Sequence, residues 1–254
     1  MISEKNTKII RSLAHKKYRY QHNLFIAEGR KIIIDMLKSG FKAIHQLYLT
    51  EEAKLDNGPV LEPVKDTLIL LTVKEMNHIS NLDSASDMIL IGKIPTPTDS
   101  NDIDFSHGIH LFLDQIQDPG NLGTIFRTAE WFGVKSIGMS NGCADYLQPK
   151  VIQSSMGSFW RLPIWIGDLK NTWPIGFEIF GADLQGNSLY ETKFHSNGVL
   201  VIGSEGQGLS KESRTIVNHY VRIPAFSGNV ESLNAANAAA IILSEWKRQT
   251  ITEF

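Results

Sequence analysis

Between residues 109 and 224 the sequence sets down short, nearly all-apolar runs: "IHLFLD" (109–114), "VKSIGMS" (134–140), "RLPIW" (161–165), "FEIFGAD" (177–183), "GVLVIG" (198–203) and "YVRIP" (220–224). A strand with one wet face alternates apolar and polar residues, whereas a run apolar throughout suits a strand covered on both faces. Stretches with helical spacing lie between these runs. In 121–132, Leu122, Ile125, Phe126, Ala129 and Phe132 recur at intervals of three and four, which is one face of a helix. Further helices are expected near 149–157, briefly after Ser210, and over about 233–248. Strand alternating with helix predicts an α/β domain on a parallel sheet.

The segment "IPTPTDSNDIDFSHG" (94–108) has two prolines and a cluster of Asp, Ser, Thr and Asn, the composition of a linker. Ahead of it the same alternation predicts a smaller α/β domain. Its expected helices cover about 3–15, 27–39 and 73–79, and its strands are "IHQLYLT" (44–50), "TLILLT" (67–72) and "MILIGKI" (88–94). The expected domains are therefore 1–94 and 108–254, joined by 95–107.

Charge is distributed unevenly. Residues 1–50 carry ten Lys/Arg against three acids, residues 51–107 carry four against eleven, and the whole chain nets −2. A basic first third on a slightly acidic chain suits either a solvated charged helix or a local contact with a polyanion. The lone cysteine, Cys143, excludes a disulfide within the chain and a multi-cysteine zinc site, and no HExxH or CxxC spacing occurs. No apolar run approaches the ~18 residues of a membrane helix, and the charged N-terminal stretch lacks a secretory signal. These features predict a soluble, cytoplasmic protein without a structural metal.

Three stretches carry polar residues where packing does not require them. In "DPGNLGTIFRTAEWFG" (118–133) a Pro-Gly turn leads to Asn121 at a helix start, with Arg127 further on. Asn121 suits a plain N-cap, but Gly123 weakens the first turn by ~1 kcal/mol, and bare amides there can face an anion alongside the Arg127 fork. In "GVLVIGSEGQGLS" (198–210) an apolar strand ends in Gly203, Glu205, Gly206 and Gly208. This is neither the GxGxxG dinucleotide fingerprint nor a phosphate loop, yet carboxyl ends of strands are where open α/β sheets bind ligands. In "VRIPAFSGNVESLNAANAAAII" (221–242) Ser232 and Asn234 stand at the entry to an alanine-rich helix. Ser232 there serves equally as a helix cap.

In this order and spacing the three stretches resemble the motifs of the SpoU (TrmH-like) RNA ribose 2′-O-methyltransferases of the SPOUT superfamily, over residues 109–249. The segment "IRSLAHKKYRYQHNLFIAEGRKI" is similar to the substrate-binding domain that often precedes the catalytic one. The resemblance implies a C-terminal α/β domain with a deep trefoil knot, an L30e-like N-terminal domain, and a homodimer assembled through the knotted region. It places the catalytic positions on Asn121, Arg127, Glu205, Ser232 and Asn234. It places S-adenosylmethionine against the backbone near Gly203, Ile223 and Leu233. The loop "PAFSGNVESLN" is one residue longer than the familiar form.

The reaction implied is displacement at a sulfonium methyl by a ribose 2′-hydroxyl. A guanidinium with a pKa above ~12 is a poor base, so Arg127 is expected to hold an RNA phosphate and stabilise developing negative charge. Lys16, Lys17 and Arg19 are expected to contact the RNA backbone, with Tyr18 and Tyr20 stacking on unpaired bases. Three neutralised phosphates give a log–log salt slope of about −2. The extra domain leans toward ribosomal RNA, 23S above all, over transfer RNA. A non-catalytic RNA-binding protein that keeps the fold is the alternative from another class, followed by a base-methylating SPOUT enzyme.

Overall fold

The computed structural model describes residues 2–171, 173, 177–227 and 231–251. They form two compact units, one from residues up to 96 together with 145–161, the other from 97–144 and 162 onward.

The first unit opens with α1 (Glu4–Ser12), capped by Ser3, and α2 (Lys16–His22), closed by Asn23 in the left-handed region at φ 54°. The helix expected over about 3–15 is α1, which ends at Ser12, and α2 lies where no helix was expected. Then come β1 (Leu24–Glu28), α3 (Arg30–Lys38), β2 (Ile44–Leu49), α4 (Glu51–Asp56), α5 (Gly58–Leu61), β3 (Leu68–Leu70), α6 (Val73–Ile79) and β4 (Met88–Lys93). The sheet order is β1-β4-β2-β3, with β4 antiparallel to both neighbours and β2 parallel to β3. Strand β1 occupies residues whose latter part was expected to begin a helix. Gly29, at φ +124°, makes the turn that ends it. Ile10, Leu13, Ile26, Met76, Ile79 and Ile89 pack the core against this sheet.

The second unit begins with β5 (Gly108–Asp114), α7 (Pro119–Trp131) and β6 (Ile137–Met139). Next in sequence are α8 (Pro149–Ser155) and α9 (Ser158–Arg161), which belong to the first unit. Phe159 meets Phe25 edge-to-face at 5.8 Å, and the Trp160 indole donates to Ser39 Oγ at 3.2 Å. The chain then returns through β7 (Ile164–Ile166), β8 (Ile179–Ser188), β9 (Asn197–Gly203), α10 (Lys211–Arg214), β10 (His219–Arg222) and α11 (Ala235–Thr250). The six strands are all parallel, in the order β10-β8-β9-β5-β6-β7. Helix α11 packs on α7 and β9, burying Ala235, Ala236, Ala239, Ile242 and Trp246. Three of its alanines therefore serve packing within the chain.

Candidate active site

From β5 the chain runs outward on one side to β6 and β7, while β8, β9 and β10 lie on the other. The winding reverses between β5 and β9, and such a switch point opens a crevice beyond the carboxyl ends of the strands. Asp114 at the end of β5 stands opposite Gly203 at the end of β9. All three polar stretches leave the sheet at this edge.

After β9 the chain doubles back over Ser204–Gly208. Ser204 donates its amide to the Gly208 carbonyl at 3.1 Å, and Gly208 returns the bond at 2.8 Å. A side chain at Gly203 would place its Cβ 2.3 Å from the Gly208 carbonyl, so this closure requires glycine there. Buried Asp114 accepts from the Ser210 amide at 2.7 Å and pins the far end of the loop to β5. The tip presents Glu205, exposed.

Helix α7 is capped by Asp118, which accepts from the Asn121 amide at 2.7 Å, with Pro119 in the first helical position. Asn121 is therefore not the cap, and its side chain is free for other work. Helix α11 is capped by Asn234, whose Oδ1 accepts from the amides of Ala236 (2.9 Å) and Asn237 (3.2 Å). Ser232 is not that cap.

These caps fix a chain of hydrogen bonds. With its oxygen committed, Asn234 turns its Nδ2 outward and donates to Asn121 Oδ1 at 2.6 Å. Asn121 in turn donates Nδ2 to Glu205 Oε1 at 2.7 Å, and the Ala235 amide donates to the same oxygen at 3.3 Å. Residues 121, 205 and 234 thus meet through side chains, and every amide orientation follows from a backbone donor.

Glu205 stands between two cavities. The larger, about 610 Å³, includes Gly203, Ile223, Ser232 and Leu233 in its wall, over an apolar floor that includes Ile202 and Ile242. The β8–β10 ladder jumps from Gly181 to Asn187, and Ala182 to Gln185, which leave it there, complete the wall. The smaller, about 300 Å³, is lined by Gln115, Gln117, Asp118 and Asn121 among others. The loop 224–234 borders the larger cavity, and its residues 228–230 lie outside the described residues.

Arg127 is not brought to this cluster. It is exposed on α7, six residues or about 9 Å of helix beyond Asn121, and lines neither cavity. Ser232 has no side-chain hydrogen bond among the described residues. Arg19 requires a correction. It is 1% exposed and binds Asp145 Oδ2 through Nε (3.2 Å) and Nη2 (2.5 Å), while Nη1 donates to the carbonyls of Leu13 and Ala14. A guanidinium so enclosed is not open to an RNA phosphate. Lys16 and Lys17 are exposed, each with its Nζ 5.8 Å from a tyrosine ring, Tyr20 and Tyr18 respectively.

Cys143 is half-buried and donates to the Leu113 carbonyl at 3.1 Å, and burial pushes its thiol pKa up, which disfavours a reactive thiolate. Among the described residues no group of His, Cys, Asp and Glu could hold a metal ion, and no helix is long and apolar enough to cross a membrane. Asp114 and Asp118 were not singled out from the sequence. Their only signal is a carboxylate at a strand end and one just before Pro-Gly.

Residues 108–244 match the SpoU rRNA Methylase family, and residues 4–89 match the MRM3-like substrate binding domain. The chain belongs to the SpoU rRNA methylase family. An uncharacterised tRNA/rRNA methyltransferase of Synechocystis is 40% identical over 147 residues, covering 55% of the chain and 53% of that relative. A 23S rRNA guanosine 2′-O-methyltransferase of Bacillus subtilis is 28% identical, with 95% of the chain and 96% of the relative covered. The AdoMet-bound rRNA methyltransferase of Sinorhizobium meliloti superposes with a TM-score of 0.87 at 27% identity, over 99% of this chain and 98% of that one. In this SpoU methylase Asn121, Glu205 and Asn234 meet where the sheet winding reverses.

Proposed function

We propose that this SpoU protein transfers a methyl group from S-adenosylmethionine to a ribose 2′-hydroxyl in ribosomal RNA. One observation carries the reading: the Asn234–Asn121–Glu205 chain of hydrogen bonds, set beside a cavity walled by Gly203, Ile223 and Leu233. The larger cavity suits such a donor. Its floor is apolar, and the backbone from Gly203 to Gly208 forms part of its wall. S-adenosylmethionine supplies an electrophilic methyl on a sulfonium and departs as a neutral thioether.

The protein's part is orientation and charge. Oε1 of Glu205 is held by two donors, which leaves Oε2 to accept a hydrogen bond from the 2′-hydroxyl and aim its oxygen at the methyl. Arg127 serves as a phosphate clamp through its fork of donors, the proton leaving through that phosphate or water. Ser232, on the donor side, assists at the cavity wall. In the division of work, residues 1–94 engage the RNA through Lys16 and Lys17, residues 108–254 perform the transfer, and 95–107 connect them.

A trefoil knot within 108–254, a homodimer formed through it and a cytoplasmic setting belong to the same reading. Family membership supports the knot. Trp131, 85% exposed four residues beyond Arg127, supports a partner on that face of α7. A monomer in sedimentation at micromolar concentration removes the dimer. The reaction is tested with tritiated donor and ribosomal RNA from cells lacking the protein, digested to nucleosides. Label in a 2′-O-methylated nucleoside is expected. Label on a base, in transfer RNA alone, or nowhere overturns the reading.

A further inference from the structure

We infer that Gln115 and Gln117 hold the base of the nucleotide being methylated. This rests on the function proposed above and adds to it the side chains that meet the acceptor. The cavity of about 300 Å³ beside Glu205 has two carboxylates in its wall, Asp118 and Glu205, and neither lysine nor arginine. A phosphate entering it would meet like charge on both sides. A neutral nucleoside meets acceptors for its hydroxyls and carboxamides with a donor and an acceptor side, the combination that pairs with base edges. Of the four carboxamides in the wall, Asn121 is engaged with Glu205 and Asn234, Gln207 sits on the loop shared with the larger cavity, and Gln115 and Gln117 stand on the far side. Glu205 is shared with the larger cavity, so a ribose hydroxyl held there lies where the two spaces join. The attached base is left the side of Gln115 and Gln117, which line the smaller cavity alone.

A second observation points to Gln115. Its φ is +58°, in the left-handed region that favours glycine, and among the described residues only Asn23 and Met156 share that sign without being glycine. The conformation is held by its amide, which donates to Ser140 Oγ at 2.9 Å. Across from it, a Cβ on Gly142 would lie 2.8 Å from Gln115 Cγ. The fold keeps a side chain where glycine fits more easily, and keeps glycine where a side chain would displace it. Strain retained at the lip of a cavity, at the carboxyl end of the central strand, marks a residue kept for contact.

The test uses the full chain with substitutions Gln115→Gly, Gly142→Ala and Gln117→Ala. The probes are S-adenosylhomocysteine, by calorimetry, and ribosomal RNA from cells lacking the protein, by initial rates and by mapping of the methylated nucleotide. Gln115→Gly relieves the backbone and is expected to melt no lower than the parent, to bind S-adenosylhomocysteine within about twofold, and to raise the KM for RNA roughly tenfold. Gly142→Ala, which pushes the same side chain aside, is expected to shift KM in the same direction. Gln117→Ala is expected to let label spread to further nucleotides. Unchanged RNA kinetics with unchanged site selection in all three variants overturns the inference, as does a loss of S-adenosylhomocysteine affinity matching the loss of rate. A parent protein that binds the homocysteine compound but methylates no RNA overturns the function first, and this inference with it.

Discussion

Asn121 has one side-chain oxygen and one side-chain nitrogen, and each is engaged on a different element. It links the cap of α11 to the loop after β9. Truncation to alanine leaves Glu205 with only the long bond from Ala235, so its carboxylate swings and in-line attack is lost. Asn121→Ala is expected to cut turnover roughly a hundredfold while the donor dissociation constant stays within about threefold, because Asn121 does not line the larger cavity. Initial rates beside calorimetry separate the two, and a donor affinity falling with the rate counts against a positioning role. His110 behaves differently. It is fully buried, shares a 2.8 Å hydrogen bond with Ser136, has no hydrogen-bond partner for Nε2 among the described residues, and burial lowers its pKa to about 4. A depressed histidine is neutral in the fold. As pH falls below the ordinary value near 6.5, the unfolded chain takes up a proton that the folded chain refuses until about pH 4. Stability is thus full above that window and declines across it by up to about 3 kcal/mol. Urea midpoints at about pH 7.5 and 4.5 should fall further for the parent than for His110→Gln, and parallel falls remove His110 as the cause. At this scale the five polar motif positions were assigned through the family resemblance, since each stretch taken alone suits a helix cap or a solvated turn, and Asn234 is indeed a cap. Gln115 carried no signal, since glutamine does not advertise a positive φ.

Elements built on local periodicity were legible, whereas those depending on distant partners were not. Helix α6 was expected at its observed bounds, and the structure closes it with a complete capping box of Thr72 and Glu75. The inner strands of the second unit, β5, β6 and β9, were found as apolar runs because they are buried along nearly their whole length. Strand β1 was missed because "LFIAE" is five residues long and runs directly into an amphipathic helix, where a short apolar run reads equally as helix. The role of Arg19 was missed for a related reason. Its partner, Asp145, is 126 residues away and visible only once 145–161 is placed on the first unit. That pair, 1% and 4% exposed, anchors α2 to the returning segment. Removing one member strands a buried charge, so Arg19→Ala is expected to destabilise the chain by about 3–5 kcal/mol, seen as a lowered melting temperature. Lysine cannot supply three nitrogens to Asp145 and two carbonyls, so Arg19→Lys should recover little of it. Full stability in either variant contradicts the structural role.

For the whole molecule, charge and chemistry lie on different stretches of chain. The basic excess sits in residues 1–50, while the residues around Glu205 carry carboxylates and amides. Overall affinity for RNA and alignment of one sugar are then separable quantities, measurable independently. Affinity from phosphate contacts scales with counterions released, and with Arg19 enclosed only Lys16 and Lys17 remain of the expected trio. Two contacts to a single strand contribute a log–log salt slope of about −1.4 instead of about −2. The double substitution Lys16→Gln, Lys17→Gln should flatten the measured slope by about that smaller amount, raise KM for RNA, and leave kcat at saturating RNA unchanged. Both lysines are exposed, each beside a tyrosine ring, so the fold should tolerate the change. Filter binding of ribosomal RNA across a salt series gives the slope, and initial rates give kcat. A fall in kcat would mean that this end of the chain helps align the acceptor as well as capture it. An unaltered slope would move the phosphate contacts elsewhere in the basic first third.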